Sequence, residues 1–223
     1  MLCTSPTQWL QELCIVIDWE VQLNLISEFL IHLSCLRCTI ANPDITSVKS
    51  LSSLKQLKKL FLSVWSSNSL DEDMVEIMRG CPKLEPLTVN GEVTDACLVR
   101  LSDFCPLLQR LEIAMNTDAK GITDATIERG VRGLTSLRHL SLRNCDVSDA
   151  GFRLLFHSLP RLCFVRLSVA PHLTLAVMPF LQEYAARHRR RRIRSVLPHS
   201  LLTPFGQRPP DPILFPNLLI EFE

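Results

Sequence analysis

The stretch that decides the fold reads LRHLSLRNCDVSDAGF and spans residues 137–152. In its first half, apolar and polar residues alternate around Leu140 and Leu142, which is the pattern of a short strand with one buried face. In its second half, Ser148 and Asp149 precede an apolar run. A hydroxyl and a carboxylate at that place can accept hydrogen bonds from the free amides of a first helical turn. The stretch therefore predicts a strand, a turn and a helix.

The strand half of this stretch recurs along the chain. Apolar residues at positions 1, 4 and 6 of a short motif return seven times, at intervals of 23 to 29 residues. The residues at position 4 are Leu13, Leu36, Leu60, Leu87, Leu111, Leu140 and Val165. A unit of this size cannot bury its own apolar face, so the copies must stack. We expect an α/β solenoid of about seven repeats, with a curved parallel sheet inside and helices outside.

Residues 137–152 resemble the cysteine-containing leucine-rich repeat, the type found in F-box/leucine-rich-repeat substrate receptors of cullin-RING ubiquitin ligases. Two further copies share the Cys-Pro-x-Leu start of that repeat, at residues 81–84 and 105–108. The resemblance implies a leucine-rich-repeat solenoid that acts as a non-catalytic protein-binding scaffold. It also implies substrate recognition in a ubiquitin-ligase pathway, with ligase components among the partners. In that family a helical F-box precedes the repeats, and we expect none here because the first strand begins near Leu10.

Composition divides the chain into three regions. Residues 1–186 carry the repeats and form the predicted solenoid. Residues 187–194 form an Arg-rich cluster, whose members are Arg187, Arg189, Arg190, Arg191, Arg192 and Arg194. Residues 195–223 contain six of the 14 prolines, so they cannot continue a helix. We expect this Pro-rich tail either to cap the open end of the solenoid or to be disordered.

The near-neutral total charge of the chain conceals an asymmetry, because the six arginines of the Arg-rich cluster balance an excess of acidic residues elsewhere in the chain. The whole chain has 24 Lys and Arg against 23 Asp and Glu, so its bulk charge indicates neither a nucleic-acid nor a membrane partner. The cluster has three interpretations: a solvated helix end, a nuclear-import signal, or a contact with RNA or another anionic surface. The last two would make the chain a nuclear or RNA-associated scaffold. An inhibitor-type leucine-rich-repeat protein is a further alternative to the ubiquitin-pathway function.

Cysteine usage and the N-terminal residues indicate the compartment. Nine scattered cysteines are an odd number in a chain large enough to need no disulfides, so we interpret them as reduced thiols. No Lys or Arg precedes Arg37, and no apolar run is long enough to cross a bilayer. We expect a cytoplasmic or nuclear protein, or one present in both compartments, with no membrane partner.

Motifs that carry chemistry are sparse. Cys35 and Cys38 have the spacing of zinc ligands, but no second pair accompanies them, and strand alternation points them to opposite faces. The sequence has no Gly-rich phosphate loop, no Gly-x-Ser-x-Gly motif and no His-Glu-x-x-His motif. We therefore predict no enzyme activity, no cofactor and no metal.

The strand alternation also predicts the surface that binds a partner. Residues between the buried positions must point to the open side of the sheet, which is the concave face of the arc. The charged and aromatic residues predicted there are Lys59, Phe61, Arg110, Glu112, His139, Arg143, Phe164 and Arg166. Arginine and aromatic residues are enriched at interface hot spots. We expect a monomer that binds an acidic or amphipathic protein segment on this face; ordinary solvated positions of a repeat are the alternative.

Overall fold

One sheet organises the residues described by the structure, a computed structural model that covers residues 10–45, 47–66, 68–115, 121–188, 192–198, 213–215 and 218–222. Its strands are β1 (Glu12–Ile17), β2 (Cys35–Ile40), β3 (Lys59–Val64), β4 (Pro86–Asn90), β5 (Arg110–Ala114), β6 (His139–Arg143), β7 (Phe164–Ser168), β8 (Ile193–Leu197), β9 (Ile213–Phe215) and β10 (Leu218–Phe222). Strands β1 to β8 pair in chain order and in parallel. Strand β10 joins β8 in parallel, and β9 pairs with β10 antiparallel.

Each of the first seven strands is followed by helical structure. The segments are α1 (Glu20–Phe29), a 3₁₀ helix (Lys49–Ser53), α2 (Asp71–Gly80), α3 (Asp95–Leu98), α4 (Leu101–Phe104), a π-helix (Thr126–Val131), α5 (Asp149–Ser158) and α6 (Val177–Arg187). None of these described helices combines the length and apolar character needed to span a membrane. A parallel sheet with one strand and one helical connection per repeat is the predicted α/β solenoid.

The core lies between the sheet and the helical layer. Motif positions 4 and 6 fill it, and Leu60, Leu62, Leu111 and Ile113 are at most 2 % exposed. Burial of such side chains stabilises a fold by roughly 1.5–3 kcal/mol each. The apolar motif therefore predicts both the strands and the residues that hold them against the helices.

The β1 end of the solenoid is less well covered than the middle. Leu13 and Ile15 occupy motif positions 4 and 6 but are only half-buried, and among the described residues β1 pairs with β2 alone. Helix α1 also exposes Val21, Leu25 and Phe29, which are spaced four residues apart on one helix face. This end of the described structure thus carries apolar surface that the inner repeats bury.

Hydrogen bonds from one repeat to the next hold the helical layer in register. Four aspartates stand at or near the start of a helical segment, and each carboxylate accepts from both the amide and the hydroxyl of a Ser or Thr in the following repeat. The pairs are Asp71 with Thr94, Asp95 with Thr123, Asp124 with Ser148, and Asp149 with Thr174. The four amide-to-carboxylate distances are 2.7 to 2.9 Å. We call these four pairs the Asp–hydroxyl ladder.

The hydroxyls of the ladder also cap their own helices. Thr94 Oγ1 accepts a hydrogen bond from the Ala96 amide at 3.1 Å, and Ser148 Oγ accepts one from the Ala150 amide at 3.1 Å. Burial acts to raise the pKa of the Asp71 carboxyl, but hydrogen bonds from Thr94 outweigh burial and lower this pKa. These hydrogen bonds therefore favour an ionised Asp71 carboxylate at neutral pH.

The sheet continues beyond the boundary at residue 186 that the repeat motif predicts. Strand β8 pairs with β7, so an eighth strand of the same parallel series follows the seven predicted copies. It escapes the motif because its core-facing positions are Ile193, Ser195 and Leu197, with serine where the other copies have an apolar residue. Strand β10 then covers the edge of β8. Strand β8 spans the predicted boundary between the Arg-rich cluster and the Pro-rich tail, and the tail contributes β9 and β10, while residues 199–212 and 216–217 lie outside the described part of the chain.

Removal of one ladder carboxylate should destabilise the fold. Asp95→Ala leaves the Thr123 amide, the Thr123 hydroxyl and the Thr126 hydroxyl without their acceptor. Hydrogen bonds to charged groups contribute about 1.5–3 kcal/mol each, so we expect the free energy of unfolding to fall by about 2–4 kcal/mol in urea titrations. Asp103→Ala is the control, because Asp103 forms an exposed ion pair with Arg100, and it should cost less than about 1 kcal/mol. Equal losses in the two variants would contradict a structural role for the ladder.

Candidate functional site

The structure places all eight predicted partner-binding residues on the sheet face that points away from the helices. We call the surface formed on β2 to β8 by the residues that alternate with the core positions the strand face. Its exposed cations include Lys59, Arg110, Arg143 and Arg166. Its half-buried members include Phe61, Glu112, His139 and Phe164. The strand face therefore presents exposed positive charge beside aromatic rings that are partly protected from solvent.

The parallel register aligns the strand-face residues in rows that cross the sheet. One row contains Pro86, Arg110, His139, Phe164 and Arg194. The adjacent row contains Arg37, Phe61, Thr88, Glu112, Ser141 and Arg166. Because neighbouring strands lie about 4.8 Å apart, side chains within a row can contact one another.

Glu112 is the centre of a contact cluster on the strand face. Its Oε1 atom lies 3.3 Å from an Arg110 guanidinium nitrogen and 3.1 Å from His139 Nε2. The His139 ring stacks on the Phe164 ring, with centroids 4.1 Å apart and planes inclined by 10°. The Arg194 guanidinium lies 5.7 Å from the centroid of the Phe164 ring. Four strands, β5 to β8, therefore contribute to one connected set of charged and aromatic side chains.

Two strand-face cations were not among the predicted partner-binding residues. The Arg37 guanidinium lies 4.3 Å from the centroid of the Phe61 ring, a cation–π contact between β2 and β3. Arg194 was assigned to the Arg-rich cluster, yet it lies in β8 and forms an ion pair with Glu221 at 2.6 Å. Strand alternation could have assigned Arg37 to the strand face, because this residue occupies position 5 of the second, weaker motif copy. Alternation around Ile193, Ser195 and Leu197 could likewise have assigned Arg194 to the strand face.

The described members of the Arg-rich cluster occupy different elements. Arg187 is the last residue of α6 and lies 2.5 Å from the Glu183 carboxylate. Arg192 is exposed just ahead of β8, and Arg194 lies within that strand. The structure thus divides the segment between a helix end and a strand; Arg189, Arg190 and Arg191 lie outside the described residues.

A depression opens on the strand face where β4 to β7 pass side by side. Its volume is about 510 Å³. The polar residues that line it are Thr88, Asn90, Glu112, Ser141, Arg143, Arg166 and Ser168. Thr88 Oγ1 is buried and has no hydrogen-bond partner among the described residues. The depression therefore combines two arginines with several neutral hydrogen-bonding groups.

Five of the described cysteines are buried in the packing of the repeats, namely Cys38, Cys81, Cys97, Cys105 and Cys145, whereas Cys14 and Cys163 are exposed. Cys38 is buried and Cys35 is half-buried, and no described group of three His, Cys, Asp or Glu side chains is arranged to hold a metal ion. Burial raises the pKa of the Cys81 thiol and of the Cys105 thiol to about 12. Cys81 Sγ donates to the Leu54 carbonyl at 3.4 Å. These thiols stay protonated at neutral pH, which makes them poor nucleophiles.

Comparison with known proteins identifies the architecture. No family model matches the chain. The fold matches a chain of "Crystal structure of Rad7 and Elc1 complex in yeast" with a TM-score of 0.65 and 17 % sequence identity, over 96 % of this chain and 55 % of that chain. The chain therefore has the fold of a leucine-rich-repeat solenoid. The match confirms the predicted solenoid fold.

A curated relative resembles part of this leucine-rich-repeat chain. The F-box protein FBX14 of Arabidopsis thaliana is 27 % identical to it over 99 residues, which are 44 % of this chain and 15 % of FBX14. The leucine-rich-repeat chain therefore spans about half of the solved chain it matches and a small part of this curated relative.

The protonation of His139 can be tested by NMR titration of its ring protons. Burial lowers the pKa of His139 below 6.5, Arg110 and Arg166 lower it further, and Glu112 opposes them. The folded state thus favours the neutral imidazole, and this preference stabilises the fold above about pH 6.5 and is lost as the pH falls. We expect Arg110→Ala to raise the pKa of His139, whereas Arg129→Ala in the helical layer should not change it. A pKa of His139 above 6.5 in the wild type would contradict this assignment.

Proposed function

We propose that this chain is a non-catalytic protein-binding module of a ubiquitin-ligase pathway, and that it binds an acidic or amphipathic protein segment on its strand face. The observation that carries the proposal is the row-by-row alignment of arginines with aromatic rings across β2 to β8. Arginine and aromatic side chains are over-represented among residues that dominate interface energetics. A surface of this composition on an open sheet suits a protein segment better than a small metabolite.

The electrostatics of the strand face support an acidic partner. Glu112 on the strand face contacts Arg110 and His139, and Glu221 on the neighbouring strand β10 contacts Arg194. Lys59, Arg143 and other cations remain exposed beside these pairs. A negatively charged segment would exchange solvent contacts for charge-assisted hydrogen bonds to the guanidinium groups.

The link to ubiquitin ligation rests on the repeat type. The cysteine-containing repeat resembles that of F-box/leucine-rich-repeat receptors, and one relative of part of the chain is named an F-box protein. The structural neighbour Rad7 is described in complex with a protein, Elc1. In this proposal the solenoid contributes substrate recognition, and ligase components are the partners that connect it to ubiquitin transfer.

Charge reversal on the strand face should abolish partner capture. Arg143→Glu combined with Arg166→Glu places two negative charges where the partner's acidic groups would bind, so we expect captured partner to fall by about tenfold or more. The measurement is affinity purification of the tagged chain from cells followed by quantitative mass spectrometry. Arg129→Glu combined with Arg132→Glu is the matched control, because both arginines are exposed in or beside the π-helix. Unchanged capture by the strand-face variant would remove this face from the proposal.

The same purification tests the pathway. Cullin-ligase adaptor proteins among the captured proteins would support the proposed function. Partners that disappear after ribonuclease treatment would favour an RNA-associated scaffold instead, and a single enzyme captured in equal amount would favour an inhibitor. Either of these two outcomes, without ligase components, would contradict the ubiquitin-pathway assignment.

A further inference from the structure

Another depression lies where β6, β7 and β8 begin, at the edge of the sheet opposite the starts of the outer helices. Its volume is about 440 Å³, and it is lined by Arg138, Pro160, Arg161, Leu162, Cys163 and Arg192. We call it the edge depression. None of the described residues that line it is Asp or Glu. The edge depression therefore concentrates positive charge outside the surface assigned to a protein partner.

The three guanidinium groups of the edge depression come from three successive repeats. Arg138 directly precedes β6, Arg161 lies between α5 and β7, and Arg192 directly precedes β8. All three residues are exposed. No described residue forms an ion pair or a hydrogen bond with any of the three guanidinium groups. Their charges are therefore available to a ligand.

Backbone hydrogen bonds fix the order of these repeats at the edge. The Cys163 amide donates to the Arg138 carbonyl at 2.9 Å, and Cys163 Sγ donates to the same oxygen at 3.2 Å. The Arg194 amide donates to the Cys163 carbonyl at 2.9 Å. Since neighbouring strands lie about 4.8 Å apart, β6 and β8 are separated by about 10 Å at this edge. The backbone thus holds arginines from three repeats within reach of one elongated ligand.

The repeats themselves do not require three arginines at one place. A cation after a helix C terminus interacts favourably with the helix dipole, which accounts for Arg161 behind α5. It does not account for Arg138 and Arg192 around the same depression, where like charges repel. In the row of described residues that directly precede the strands, the nearest carboxylate is Glu85, two strands from Arg138, and it accepts a hydrogen bond from Gln109. A negatively charged ligand would relieve the repulsion among the arginines.

We propose that the edge depression binds the sugar-phosphate backbone of a single-stranded nucleic acid. Guanidinium forks match phosphate oxygens in a bidentate geometry. Every phosphate of the backbone is charged, so one strand can meet all three arginines, whereas an isolated carboxylate cannot. A flexible single strand can also enter a depression that a stiff duplex would bridge. This inference goes beyond the proposed function, because the edge depression shares no residue with the strand face.

The lining of the edge depression is less suited to a protein segment or a membrane. Leu162 is 1 % exposed, so Pro160 supplies the accessible apolar surface beside the arginines. Protein segments bind through apolar and aromatic anchors, and membrane-surface helices insert an apolar face. Residues 189–191 are all arginine and directly precede Arg192 in the sequence, so the covalent chain adds positive charge beside the depression. Charge without an apolar anchor is typical of a surface that follows a phosphate backbone.

The test measures binding of the full chain to fluorescein-labelled oligomers of about 20 uridines or thymidines, which exceed a usual single-strand site, by fluorescence anisotropy. Arg138→Ala combined with Arg161→Ala should weaken binding by about tenfold or more in low salt. The slope of the logarithm of the association constant against the logarithm of the salt concentration should become shallower by about 1.4, because each lost phosphate contact removes about 0.7. Lys49→Ala combined with Arg129→Ala is the matched control, which removes two exposed cations from the helical layer and should bind as the wild type does. Both variants replace exposed side chains and should keep the wild-type thermal unfolding midpoint.

Conservative substitutions and thiol protection then locate the contact. Arg138→Lys combined with Arg161→Lys keeps both charges, so it should retain most of the affinity that the alanine variant loses. Bound oligonucleotide should slow the alkylation of Cys163 by a maleimide several-fold, because this exposed thiol lies in the edge depression. Cys14 is the internal control, since it is exposed on β1 and its alkylation rate should not change. Peptide mass spectrometry of the two cysteines gives both rates.

Four results would overturn the inference. The first is absence of oligonucleotide binding by the wild type, and the second is an equal loss of binding in the two alanine variants, since general charge would then account for it. The third is an unchanged alkylation rate of Cys163 when the oligonucleotide is saturating. The fourth is binding of poly-glutamate or of phosphatidylserine vesicles that depends on Arg138 and Arg161 and equals that of the oligonucleotide. This last result would assign the edge depression to an acidic protein or to a membrane.

Discussion

A carboxylate at the start of one outer helix binds the amide and the hydroxyl of the next repeat, and the rest of the structure depends on this contact. In a solenoid each repeat contacts only its neighbours, so the register has to be set anew at every step. The Asp–hydroxyl ladder sets this register because each carboxylate accepts hydrogen bonds from both the amide and the hydroxyl of one residue in the following repeat. Rows of strand-face residues follow the parallel backbone register of β2 to β8, and the ladder holds the helical layer behind β3 to β7 in step with that register. The contact of Glu112 on β5 with His139 on β6 is a consequence of that register.

The ladder works together with close backbone approach in the helical layer. A Cβ atom at Gly130 would lie 1.9 Å from the Leu98 carbonyl oxygen, and one at Gly80 would lie 2.0 Å from the Ser52 carbonyl oxygen. Both glycines therefore stand where the backbone of the preceding repeat is too near for any side chain. Hydrogen bonds draw adjacent repeats together, and glycine removes the atoms that would hold them apart.

The sequence predicts the middle of the solenoid better than its ends. Alternation around Leu60 and Leu111 is a local property, so it identifies the strands and shows which residues face outward. The motif does not predict strand β8, because arginines dominate the composition of its segment and Ser195 occupies a buried motif position. The contact between Glu112 and His139 could not be predicted either, since it joins neighbouring repeats through a register that no local pattern specifies. Arg37 belongs to the strand face by the same alternation, but its motif copy is weak.

The two ends of the sheet have unequal protection. Strands β10 and β9 continue the sheet past β8, whereas β1 is the first strand of the described residues and its core residues are half-buried. Seven of the eleven large apolar side chains that are exposed in the described residues lie between positions 10 and 31. Where stability is a sum over neighbouring repeats, the repeat with the fewest partners opens most often. Backbone amides of β1 should therefore exchange with solvent sooner than those of β5 to β7. The solenoid would then open first at its β1 end, while the central strands stay paired.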